Sequence, residues 1–232
     1  LQRTRDLRVV GWLALANTQM RGAPAFAAGL RLMLQLCERF WDEVHPRVVV
    51  DGDEDPYLRM NAISAFAGSE FSGEDRLIQA LRGSTLIKQP LVLTYRDAEL
   101  TFSKAPEAKY DLPQVESMIL DAIAAGNESV LAVVEALENY EKLQALLDEK
   151  VASGDAPDME RLPQVLKPVA LGIRHLQLGA AGGSSESEAA ANVGDVAVGG
   201  TPVSAPGVVN SREDARRALE RGINQVADTV GV

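Results

Sequence analysis

The densest set of metal-capable side chains in the sequence is Asp51-Gly-Asp53-Glu-Asp55-Pro56. It imitates the opening of a calcium loop, in which alternating carboxylates supply hard oxygen ligands. Such a loop needs glycine at its sixth position for a sharp turn and a bidentate glutamate at its twelfth. Those places hold Pro56 and Ala62, so the run reads as an acidic turn with helix-capping carboxylates. The two histidines, His45 and His175, belong to no Cys/His/Glu set with zinc-ligand spacing. The one cysteine, Cys37, lies among Leu34, Leu36 and Phe40 and reads as a packing residue rather than a reactive thiol. Neither G-x-x-x-x-G-K-[ST] nor G-x-G-x-x-G occurs. G-x-S-x-G is also absent, and Gly182-Gly-Ser-Ser185 falls in a low-complexity stretch. The expectation is a non-enzyme with no catalytic residue, no cofactor and no metal.

The elements around these residues are helical. Leu7, Val10, Leu13 and Ala16 or Asn17 recur at three-four spacing, as one face of an amphipathic helix requires. Gly22 and Pro24 punctuate, and Phe26, Leu30, Met33, Cys37, Phe40 or Trp41, and Val44 carry a second, long helix to Pro46. Pro56 suits the first turn of a third, with Leu58, Ala62, Ile63 and Phe66 inward, and Ser72-Gly73 precedes a fourth around Leu77 and Leu81. Residues 91–103 alternate with β-branched and aromatic side chains, which predicts a small β-hairpin leaning on the helices. Pro113 opens a helix closed by Gly126-Asn127, and Ser129–Val151 forms another long one. Asp158 caps a last one, with Leu162, Leu166, Val169, Ile173 and Leu176 inward, which Pro168 kinks or restarts. The predicted fold class is all-α, a multi-helix bundle or bundles with one small hairpin near 91–103.

Residues 179–209, rich in glycine, serine and alanine, offer almost nothing to bury and read as a flexible linker. Ser211 then caps a further helix with Ala215, Leu219, Ile223 and Val226. The predicted organisation is a helical module over 1–106, and a further bundle over 107–178, packed on the first or separate. The linker and the start of another helix at 210–232 follow.

Apolar residues make up 46% of the 232 and charged ones 24%, with no apolar run long enough to span a bilayer. One cysteine fits a cytoplasmic protein. The net charge is −10, which argues against nucleic acid as a partner. Its distribution is uneven. Residues 1–40 carry six arginines against Asp6 and Glu38, whereas 107–160 carry thirteen carboxylates against Lys109, Lys142 and Lys150. The chain opens without methionine inside a helical pattern, from which residues before Leu1 are expected.

Several segments resemble the ImpA-type amino-terminal domain of the TssA family. They are Arg5-Asp-Leu-Arg-Val-Val, Arg21-Gly22, Gly29-Leu-Arg-Leu-Met-Leu, Phe40-Trp-Asp-Glu-Val-His-Pro46, Asp51 and Arg59-Met-Asn-Ala-Ile. The likeness is good over 4–67 and looser to about 106. A second echo is Asn210-Ser-Arg-Glu-Asp-Ala-Arg-Arg-Ala-Leu-Glu220, similar to the first helix of the family's middle region. The resemblance implies a non-enzymatic assembly component of the bacterial type VI secretion system. Such a component docks on baseplate, sheath, tube or membrane-complex subunits, stays cytoplasmic and helps recruit or prime sheath–tube assembly. It also implies homo-oligomers formed through a carboxy-terminal domain with no counterpart in this sequence, and no direct insertion into a membrane.

The motif residues Trp41, Asp42, His45, Pro46, Asp51 and Arg59 read as structural: an indole packed at a helix end, Asp42 and His45 holding a turn, and Arg59 pairing with the acidic loop. Glu135, Glu138 and Glu141 on the acidic long helix are the candidate partner contact. A helical adaptor or scaffold of another bacterial complex is the alternative. A small-molecule-binding or hydrolytic helical domain is a further one, which a deep polar pocket would support.

Overall fold

A computed structural model describes residues 5–50, 53–66, 76–151 and 159–189. Eight helices account for most of them. The first, α1 (Leu7–Arg21), starts at Asp6, whose carboxylate accepts from the Arg8 backbone N–H at 3.0 Å. That bond satisfies one of the donors a helix start leaves open. Its inward line is Leu7, Val10, Gly11, Ala14 and Thr18. This face is rotated from the expected one, because Leu13 and Ala16 point outward. Gly22 ends α1 with φ +70°, and a Cβ there would meet the Ser84 Cβ at 3.0 Å, so backbone and space both call for glycine.

Pro24 lies in the first turn of α2 (Ala23–Phe40), where a missing N–H costs nothing. The helix buries Phe26, Leu30, Met33, Leu34 and Cys37. It crosses α1 closely: a Cβ on Gly29 would stand 2.6 Å from the Ala14 Cβ. A short ladder follows, β1 (Val49–Val50) with β2 (Asp53–Glu54), then α3 (Tyr57–Ser64) and α4 (Arg76–Arg82). On α3, Arg59, Met60 and Ile63 face inward, and Leu58, expected inside, is exposed.

A second two-stranded antiparallel ladder joins β3 (Thr85–Ile87) to β4 (Leu93–Thr94). The hairpin is present but its partner strand lies earlier in the chain than expected, and Leu100–Phe102 is not a strand. Residues 95–102 form α5 (Tyr95–Phe102) instead. The cause is a capping box: Thr94 Oγ1 accepts from the Asp97 N–H, and the Asp97 carboxylate accepts from the Thr94 N–H. Tyr95, Ala98, Glu99 and Thr101 then turn inward at helical spacing.

The second half is helical too: α6 (Leu112–Ala124), α7 (Glu128–Lys150) and α8 (Arg161–Ala189). Asn127 caps α7 by accepting from the Ser129 and Val130 N–H groups. The inward residues on α7 include Val130, Val133, Leu137, Tyr140, Leu143 and Leu147, which recur at three-four spacing. On α8, Leu162, Leu166, Val169 and Ile173 are buried and the helix runs through Pro168 to Ala189, into the glycine–serine stretch. The Ser72-Gly73 signal, Asp51, Asp158, the rest of the linker and the helix expected after Ser211 lie outside the described residues.

The two halves share one core. α2 packs against both α1 and α7, and α8 packs on α5, α6 and α7. Two tyrosine hydroxyls fasten this arrangement: Tyr95 donates to the Val165 carbonyl at 2.9 Å, and Tyr140 to the Met159 carbonyl at 2.7 Å. Buried hydroxyls without such partners would cost more than their rings gain in specificity. Nearby, buried Glu99 accepts from Arg82 Nε at 2.8 Å and Nη2 at 2.6 Å, with Arg96 3.0 Å away.

Candidate functional site

Most of the motif residues converge on the end of α2. The chain leaves that helix through Trp41, and Val44 N–H still reaches the Phe40 carbonyl at 2.9 Å. His45 then pairs with the start of α1: its N–H donates to the Arg5 carbonyl at 2.9 Å, and its carbonyl accepts from Leu7 at 2.8 Å. The His45–Pro46 peptide is cis. Helix ends leave carbonyls without intrahelical donors, and here one side chain collects them. Arg59, only 1% exposed, donates from Nη1 to the Trp41 carbonyl at 2.7 Å. Its Nη2 reaches the Val44 carbonyl at 3.0 Å and its Nε the Pro46 carbonyl at 2.8 Å.

Arg59 is therefore satisfied by backbone carbonyls rather than by the acidic loop. Its guanidinium also stands 4.9 Å from the centre of the Trp41 ring, a cation–π distance. Burial lowers its pKa, while the Cys37 thiol and Asp42 act in the opposite sense. Asp42 and the His45 ring are exposed, and Asp51 lies outside the described residues. Arg5 completes the cluster from above, over the Phe40 ring at 3.7 Å and ion-paired with Glu43. Cys37 is fully buried beside this turn, and burial pushes its thiol up to about 12.

The three glutamates of α7 do not share one environment. Glu135 pairs with Arg31 of α2 at 3.3 Å and accepts from Asn139 at 3.3 Å. Glu138 pairs with Arg174 of α8 at 2.9 Å. Glu141 is exposed and makes no ion pair among the described residues. The first two thus join neighbouring helices, and only the third offers its whole charge to solvent.

A surface that the periodicity did not single out is the outward side of α1. Val9, Trp12, Leu13 and Met20 are all exposed, Trp12 at 65% and Met20 at 79%. Their offsets of three, four and eleven place them along one side of the helix. Beside them runs a groove of about 510 Å³ between α1 and α2, lined by Leu13, Ala14, Pro24, Ala28 and Leu32. Among the described residues, Arg21 and Glu128 are its titratable lining groups. The signal was legible in principle: α1 is apolar on two sides, and one core cannot absorb both.

Among the described residues, no group of three or more His, Cys, Asp or Glu is placed to hold a metal ion. No single described helix is long and apolar enough to cross a membrane. A second groove, near Phe102, Gln144, Pro163 and Leu171, carries Glu160 and Lys167 but gathers no nucleophile with a base.

Comparison with known proteins gives a consistent picture. The family profile described as "ImpA, N-terminal, type VI secretion system" matches residues 1–68. The chain is 27% identical over 235 residues to the type VI secretion system component TssA1 of Pseudomonas aeruginosa, covering 94% of this chain and 65% of that protein. It therefore spans somewhat under two thirds of that relative's length. Among solved structures, its fold is similar to the N-terminal domain, including the conserved ImpA_N region, of the TssA component of the type VI secretion system from Burkholderia cenocepacia. The TM-score is 0.53 at 20% identity, over 75% of this chain and 71% of the other.

Proposed function

We propose that this chain, whose residues 1–68 match the ImpA amino-terminal profile and which is similar to a TssA1 component, is a member of the TssA family and a non-enzymatic docking module of the type VI secretion apparatus. In this reading it works on the cytoplasmic side, binds baseplate, sheath, tube or membrane-complex subunits, and helps recruit or prime sheath–tube assembly. The observation that carries the reading is the family match over residues 1–68. The clustering of Trp41, Pro46 and Arg59 at one helix end supports it, because those motif residues then have a shared task in shaping the module.

The test is a pull-down of the full chain against purified baseplate, sheath, tube and membrane-complex subunits from the same bacterium. Selective capture of one class of subunit is the expected result. A folded chain that captures none of them would overturn the docking role.

We also retain the glutamates of α7 as a partner contact, with Glu141 the member to test first. Reversing Glu135 or Glu138 also breaks a pair with Arg31 or Arg174. Such surface pairs contribute only ~0–1 kcal/mol, so the reversals leave the fold intact but blur the cause of any binding change. Glu141→Lys has no such second effect. It should weaken capture by several-fold with an unchanged melting temperature, and unaltered capture would remove this helix from the contact.

A further inference from the structure

We draw no further inference here: the strongest candidate, the outward apolar face of α1 around Trp12 with the groove beside it, carries nothing because Arg8 is already paired with Asp6, Arg21 shares the groove with Glu128, and nothing in the structure shows what covers it.

Discussion

Arg59 holds Trp41 twice, by a 2.7 Å hydrogen bond to its carbonyl and by a guanidinium 4.9 Å from its ring centre. One side chain from α3 thereby fixes the turn that closes α2. Removing it leaves three carbonyls without donors in a dry site, and each such group costs ~1–3 kcal/mol when only partly recovered by water. Arg59→Ala should therefore lower stability by about 3 kcal/mol. Arg59→Lys keeps the charge but cannot reach three diverging carbonyls with one ammonium, and should lose about 2 kcal/mol. Urea denaturation of both variants checks the ordering, and a Lys variant as stable as the parent would show that charge, not geometry, matters here.

The close crossing of α1 and α2 sets a second expectation. Alanine is the better helix former by about 1 kcal/mol, so Gly29→Ala would stabilise an isolated α2. In the folded chain its Cβ meets the Ala14 Cβ at 2.6 Å, and overpacking of this kind costs ~1–3 kcal/mol. The clash outweighs the propensity, and a net loss of about 1 kcal/mol is expected. Ala14→Gly in the same chain should return part of it, which a double-mutant cycle would measure.

Acid stability depends on the start of α1. The hydrogen bond from the Arg8 side chain holds the Asp6 carboxyl below its ordinary value of 3.8, with burial working against it. A carboxyl whose folded pKa is depressed stabilises the fold above its unfolded value and loses that effect as pH falls through the folded one. The Asp6 contribution is thus complete above about pH 3.8 and fades below it. Asp6→Asn keeps a good cap but removes the titration. Its melting temperature should fall less steeply than the parent's as pH drops below that point.

Cys37 should be silent in the native state. Burial raises its thiol to about 12, and the reactive species is the thiolate. A maleimide should label it only as fast as the core opens, so labelling rate and global unfolding rate should agree across denaturant concentrations. Rapid labelling of folded protein would mean that α2 opens locally.

The long helices were legible because their apolar lines persist over several turns: Phe26 to Cys37 on α2 and Val130 to Leu147 on α7 both lie where their spacing puts them. Short elements were not. α5 spans two turns, too few for periodicity to outvote Val92, Thr94 and Thr101 as strand formers. The Thr94–Asp97 cap held the information that the alternation hid. On α1, Leu13 looked like core because it continues the line from Leu7 and Val10, yet the packed surface follows Ala14 and Thr18. Small residues at a tight helix crossing carry little hydropathy and so leave a weak trace. The tasks of Arg59, bonded to carbonyls far along the chain, could not be read from spacing at all.

The sharing of α2 between α1 and α7 also has a consequence for how the protein is made. The side of α2 marked by the Arg31–Glu135 pair has its cover on a helix that begins at Glu128. A ribosome adding ~5–20 residues per second needs on the order of ten seconds to deliver it after α2 has emerged. For that interval the apolar surface of α2 must be kept from other nascent chains, and a polypeptide stopped at residue 68, where the family match ends, would never be relieved of that exposure.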